Sequence, residues 1–190
     1  MAEPASTTER IVAAAERRMR EGGFHGFSFR EIAADVGIKS ASVHHHFPTK
    51  EDLGAAVVRN YTEKFLAILG DPEDTARTPA ALQAHFIAAF RKSFGKERRM
   101  CLCGHLSSDA SSLPDAVNAA VRDFFERNLD WISAVLRRAA PRAGAEDIRT
   151  RAERIVGILE GAMLLSHGLD DTRTFDRIVG ILDETPFGQA

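Results

Sequence analysis

Between Ser28 and Thr49, residues that start helices and residues that stop them alternate so closely that no element there exceeds about three turns. Ser28, with Glu31 three positions on, has the spacing of a capping box, and Gly37 ends the segment it opens. Lys39-Ser40 restart the chain as a helix, and Phe47-Pro48 halt it because proline cannot continue one. Thr49 with Asp52 caps a further, longer helix. The segment is therefore two short helices joined by a tight glycine turn and followed by a long helix, the arrangement of a helix-turn-helix.

The same punctuation divides the rest of the chain. Apolar residues recur at helical spacing nearly everywhere, and no β-branched alternation appears, so the expectation is an all-α fold of about nine helices. The first helix follows the Ser6-Thr7-Thr8 cluster, places Ile11, Val12, Ala15 and Met19 on one face, and stops at Gly22-Gly23. The fourth runs to about Leu69, and Pro79 suits the first position of a fifth. Cys101 to Asp109 reads as a short helix, Pro114 starts a long one, and Pro141 to Gly144 breaks it. Helices over about Ala145 to Leu169 and Thr172 to Asp183 complete the chain. The expected division is residues 1–55 as an N-terminal three-helix domain and 56–190 as a second helical domain.

With 190 residues, 44% hydrophobic and 27% charged, the chain has enough apolar surface to bury a core. The longest apolar stretch, Ile155 to Leu169, is interrupted by Glu160 and His167 and is too short for a membrane span. No basic region followed by an apolar run opens the sequence, and Cys101 and Cys103 are too close to staple a fold, so a reduced, cytoplasmic setting is expected. Net charge is −2, with +1 over residues 1–50, a bias too small to decide anything about nucleic acid.

Local geometry is more informative than charge. At ~100° per residue, placing Val43 inward puts Phe47 beside it and turns Ala41, His44 and His45 outward, with Ser42 to one side. Small residues at Ser40, Ala41 and Ser42 let a backbone approach DNA closely, and His44 and His45 offer hydrogen bonds to phosphates or base edges. Lys50 adds charge at a helix start, where free N–H groups already favour an anion. His46 reads as partly inward and packed. The run His44-His45-His46 does not suit a metal, because successive helical residues diverge by ~100°.

At Gly23-Phe24, Ser28, Ile32-Ala33, Val36-Gly37-Ile38, Val43, His46-Phe47, Thr49-Lys50 and Leu53, the segment resembles the DNA-binding domain of the TetR/AcrR family of bacterial transcriptional regulators. The resemblance covers about residues 8–55. It implies that Lys39, Ser40, Ala41, Ser42, His44 and His45 face DNA, and that Lys50 and the Ser28 cap hold phosphates. His44 stands where that family usually has tyrosine, so the contact it implies there is weaker or pH-sensitive. The resemblance also implies a C-terminal domain that binds a small molecule and dimerises; Cys101 to Leu106, Leu113-Pro114, Phe124-Phe125 and Trp131 look like the LmrA/YxaF type. The expected function is a ligand-responsive repressor, bound to a palindromic operator as a homodimer and released by a small apolar or aromatic effector.

Phe86, Phe90, Phe94, Cys101, Phe125, Trp131 and Met163 supply cavity-lining surface for such an effector, with His105, Asn128 and His167 as polar contacts. The competing reading is that they simply fill a core. On the last two helices, Ile155, Leu159, Ala162, Met163, Phe175, Ile178, Val179 and Leu182 form apolar faces expected to pack against a two-fold mate, with Gly157 and Gly161 allowing close approach. Cys101, Cys103 and His105 leave a thiol- or metal-responsive sensor as the alternative, although a helix would spread them apart. No resident metal or cofactor is expected. The basic run Arg91 to Arg99 lacks the aromatic spacing of a single-strand binder. No catalytic Ser/His/Asp order, phosphate-cradling glycine loop or His-Glu-x-x-His motif is present, and an enzyme is not expected.

Overall fold

A computed structural model describes residues 5–95 and 100–184, and these residues contain helices and no strand. The α-helices are α1 (Thr7–Gly22), α2 (Phe29–Val36), α3 (Ser40–His46), α4 (Lys50–Leu69), α5 (Pro79–Phe94), α6 (Leu102–Ser107), α7 (Asp115–Ala139), α8 (Ala145–Gly168), α9 (Arg173–Val179) and α10 (Ile181–Glu184). The helix expected over Thr172 to Asp183 is interrupted at Gly180, which splits it into α9 and α10. Residues 96–99 of the basic run lie outside the described residues.

Helix ends follow the sequence punctuation. Ser6 and Glu9 close a capping box on α1, and Ser28 and Glu31 close another on α2. Thr49 accepts from the Asp52 N–H at 3.1 Å and its own N–H donates back to Asp52 at 3.1 Å, at the start of α4. Gly37 adopts φ 73° and ψ 38°, the left-handed conformation that a side chain would strain, and so turns α2 into α3. Thr78 caps α5, and Pro79 is its first residue.

The helices form two compact units, residues 1–64 with 102–124 and residues 65–101 with 125–190. In the first, α1 packs on α2 and α6, and α2 packs on α3. Its core contains Ile11, Ala15, Met19, Ile32, Val43, Leu53 and Val57, all fully buried. Arg18 fastens α1 to α2 from outside, donating to Asp35 at 2.6 Å and to Glu31 at 3.2 Å. Its guanidinium holds the Asp35 carboxyl below the ordinary carboxylate range, and Ser28, followed by Arg18, does the same for Glu31.

The second unit is built on aromatic contacts. Phe86 stacks on Trp131, with ring centres 5.4 Å apart, and touches Phe90 at 5.2 Å; Phe94 stacks on Phe175 at 5.7 Å. The loop from α4 to α5 is tied to α7, because Trp131 Nε1 donates to the Gly70 carbonyl at 2.7 Å and Arg138 donates to the carbonyls of Pro72 and Arg77. Helix α8 packs on α9 and α5.

Two predictions follow from the first unit. A Cβ on Gly54 would lie 2.7 Å from Phe24 Cε2 and 3.1 Å from Val117 Cγ2. Gly→Ala in an open helix gains about 1 kcal/mol, but overpacking costs about 1–3 kcal/mol. Gly54→Ala should therefore lower the melting temperature, and an unchanged or higher value would show that Phe24 can swing aside. For Arg18→Met, the depressed carboxylates set the sign: their contribution is complete at neutral pH and is lost as pH falls through their folded values. Urea midpoints should show the variant less stable than wild type at pH 7, with the gap narrowing in acid; a gap that does not narrow at all as the carboxylates are protonated would contradict the ion-pair account.

Candidate nucleic-acid interface

Helix α3 has seven residues, too few to be stable alone, and it is held by Val43, fully buried, and by Phe47 just beyond its end. The remaining side chains point away from that anchor. Lys39, Ala41, His44 and His45 are exposed, and Ser40 and Ser42 are half-buried. The outer face is thus made of small residues at the start of the helix and imidazoles toward its end.

His46 does not follow its sequence reading. It is exposed rather than packed, and its Nδ1 lies 3.0 Å from the Thr8 hydroxyl. The side of α3 that carries His46 meets the polar first turn of α1, which offers a hydrogen bond instead of apolar cover. This contact ties α3 to α1 across 38 positions of sequence. Only the hydroxyl cluster at Ser6 to Thr8 hinted at it.

Three of the predicted phosphate-facing residues come together through aromatic rings that sequence reasoning overlooked. Ser28 lies between Phe27 and Phe29. Lys50 Nζ sits 4.5 Å from the centre of the Phe27 ring and 5.0 Å from that of Phe24, and the His44 ring meets Phe29 edge-on at 4.6 Å. The rings support the ammonium from beneath. Partial burial pulls the Lys50 pKa below the ordinary lysine value, against a smaller opposing effect from Glu31. Ser28 Oγ is engaged in its capping box, accepting from the Glu31 N–H and donating to Glu31 Oε2 at 2.8 Å. The result is a hydroxyl, an imidazole and an ammonium gathered around the N-terminus of α2, where unpaired backbone N–H groups favour an anion.

A second concavity in the same unit, about 200 Å³, is lined by Arg10, Ala13, Ala14, Arg17, Asp35 and Val36. Its volume falls below the usual range for small-molecule sites of about 300–1,000 Å³. Arg10 already donates to the Val36 carbonyl from its rim.

The expected effector residues are distributed over both units. Phe86, Phe90, Phe94, Cys101, Asn128, Trp131 and Met163 are buried in the second unit, where Phe125 is half-buried and His167 is exposed. His105 belongs to the first unit, where its Nε2 approaches Gly23. Cys103 is buried in that unit, whereas Cys101 is buried in the second. Among the described residues no three His, Cys, Asp or Glu side chains come together as a metal site.

The residues expected to form a dimer face are instead mostly core. Ile155, Leu159, Ala162, Met163, Phe175, Val179 and Leu182 are buried within the chain, and Ile178 is half-buried. They are the inward side of α8, α9 and α10, facing the aromatic core. The exposed large apolar side chains at the C-terminal end are Leu164, Leu165, Leu169 and Ile181. Among the described residues no helix is long and apolar enough to cross a membrane.

Residues 11–57 match the family described as bacterial regulatory proteins, tetR family. The fold matches the crystal structure of a TetR transcriptional regulator from Legionella pneumophila, 33% identical, over 97% of this chain and 99% of that one, with a TM-score of 0.88. It also matches a TetR-family transcriptional regulator from Agrobacterium tumefaciens, 30% identical, over 96% and 98% of the two chains, with a TM-score of 0.85. Among curated proteins, the HTH-type transcriptional repressor KstR2 of Mycolicibacterium smegmatis is 25% identical over 131 residues, 68% of this chain and 63% of KstR2. The chain thus spans less than two thirds of that relative's length. With near-complete coverage at 33% and 30% identity, and a family match over residues 11–57, the chain belongs to the TetR family of transcriptional regulators.

Proposed function

We propose that this protein is a homodimeric repressor that binds a palindromic DNA operator through residues 1–55 and is released by a small molecule bound within residues 56–190. The observation that carries the reading is the exposed face of α3 beside the Ser28, His44 and Lys50 cluster. Ser40, Ala41 and Ser42 keep the start of α3 narrow enough to enter a major groove. Ser42 and His45 are the base-reading candidates. Lys39, His44, Lys50 and the N-terminus of α2 at Ser28 contact the phosphate backbone and fix the register.

The dimer surface is proposed on the outer side of α8. At ~100° per residue, Gly157, Gly161, Leu164, Leu165 and Gly168 share one face, opposite the buried face of Ile155, Leu159 and Ala162. A Cβ on Gly157 or Gly161 would meet nothing within 4 Å, so packing within the chain does not require either glycine. Each costs about 1 kcal/mol relative to alanine in a helix, a cost that close approach of a second helix would offset. The exposed Leu164, Leu165 and Ile181 supply apolar surface for that contact. Paired as a four-helix bundle, two chains would carry two α3 helices related by a two-fold axis, which is what a palindrome requires.

A gel-shift titration against the DNA flanking the gene, with random DNA as competitor and at two salt concentrations, tests the reading. A discrete, competitor-resistant, salt-sensitive shift is expected. Lys50→Ala should weaken binding to every sequence and reduce the salt slope by about 1, whereas Ser42→Ala and His45→Ala should change preference among sequences. Equal losses on specific and random DNA for all three variants would contradict the assignment to α3.

A further inference from the structure

The second unit contains a buried acid that neither its packing nor DNA binding uses. Glu160 lies in the middle of α8, and both carboxyl oxygens are sealed from solvent with no hydrogen-bond partner among the described residues beyond the weak Cys101 thiol beside them. Burial, reinforced by the neighbouring Cys101, pushes its pKa well above the usual carboxylate range. Two other helices of the unit carry comparable orphans. Gln83 Oε1 on α5 has no partner, while its Nε2 donates to the Leu182 carbonyl at 3.3 Å, and Ser133 Oγ on α7 also has none. Helices α5 and α8 pack directly on each other.

Such atoms are few in native proteins, and each calls for a reason. Stability supplies none, because an apolar side chain of similar volume serves a packed interior at least as well as an unpaired acid. A bound partner would supply one. Glu160 and Gln83 Oε1 both offer acceptors once the acid ionises, and among the described residues no basic side chain is paired with Glu160. What Glu160 lacks, among the described residues, is a donor with positive charge. Its apolar interior, where Phe86 stacks on Trp131, suits the body of an aromatic or alkyl ligand.

We propose that Glu160 is the specificity-determining residue for the effector, and that the effector is an organic amine: an apolar body bearing one ammonium group that pairs with the Glu160 carboxylate. The assignment rests on reading the second unit as a sensor, and it narrows that reading from any apolar molecule to a cationic one. On binding, any proton that Glu160 carries leaves to solvent, the ammonium keeps its own, and the buried pair is neutral overall. Glu160 recognises the ligand and takes part in no reaction.

The test uses the full-length protein without DNA and a series of ω-phenylalkylamines with two to five methylenes, each beside the alcohol and the carboxylate of equal length. By calorimetry, the best amine should bind at least 10-fold more tightly than its alcohol, and the carboxylate more weakly still. Repeating the titration in buffers of different ionisation enthalpy should show proton release on amine binding. Glu160→Gln should remove the amine's advantage over the alcohol. Glu160→Met, close in volume, should raise the melting temperature of the protein without ligand, which a structural role for the acid would not do. The proposal is overturned if no amine exceeds its alcohol, if the preference survives in Glu160→Gln, or if Glu160→Met lowers the melting temperature. Adding the best amine to a protein–operator complex separates the two ideas. Amine binding through Glu160 that leaves the complex intact would count against the repressor reading and uphold the Glu160 assignment.

Discussion

A seven-residue helix does not persist in water on its own, and the use of this protein depends on how α3 is held. Nucleating a helix fixes several residues for one hydrogen bond, so the cost has to be met by tertiary contact. Val43 and Phe47 provide that contact from one side of α3, which leaves the opposite side free of any packing duty. Gly37 sets the angle by taking a conformation that other residues adopt only with strain. The same economy operates at the edges. His46 bonds to Thr8, and His44 leans on Phe29, so the C-terminal turn of the short helix touches two neighbouring elements without being covered by them.

Much of this was legible in the sequence because helix ends are written in short-range chemistry. Ser28 with Glu31, Gly37, Pro48 and Thr49 with Asp52 each act within four residues, and the helices begin and end where these residues place them. The candidate cluster was only half legible. Ser28, His44 and Lys50 were identifiable one by one, but nothing in the sequence pattern singled out the rings that gather them, Phe27 and Phe29. Their role comes from alternation about Ser28 at a helix start, which periodicity does not encode.

The C-terminal half shows where patterning stops being informative. An apolar stripe at helical spacing states that a face is covered, not whether the cover is the same chain or another. Ile155, Leu159, Phe175 and Val179 carry such a stripe and are covered from within. The opposite side of α8 holds two glycines with open space above them and two exposed leucines, a weaker hydrophobic signal but an unoccupied one. Glu160 was visible only as an interruption of an apolar run. Its importance comes from burial without a partner, which no linear pattern shows. Regulation in such a molecule needs nothing more than a ligand with different affinity for two separations of the α3 helices.

The central claim is that an α3 anchored on Val43 and Phe47 reads DNA as one of a symmetric pair. Hydroxyl-radical footprinting on the tightest site selected from a random DNA pool tests it most directly. The account predicts a palindromic site with two protected patches whose centres lie about one helical turn, ~34–36 Å, or a small multiple of it apart, both lost in Val43→Asp. A single unsymmetrical patch, or protection that survives Val43→Asp, would contradict it.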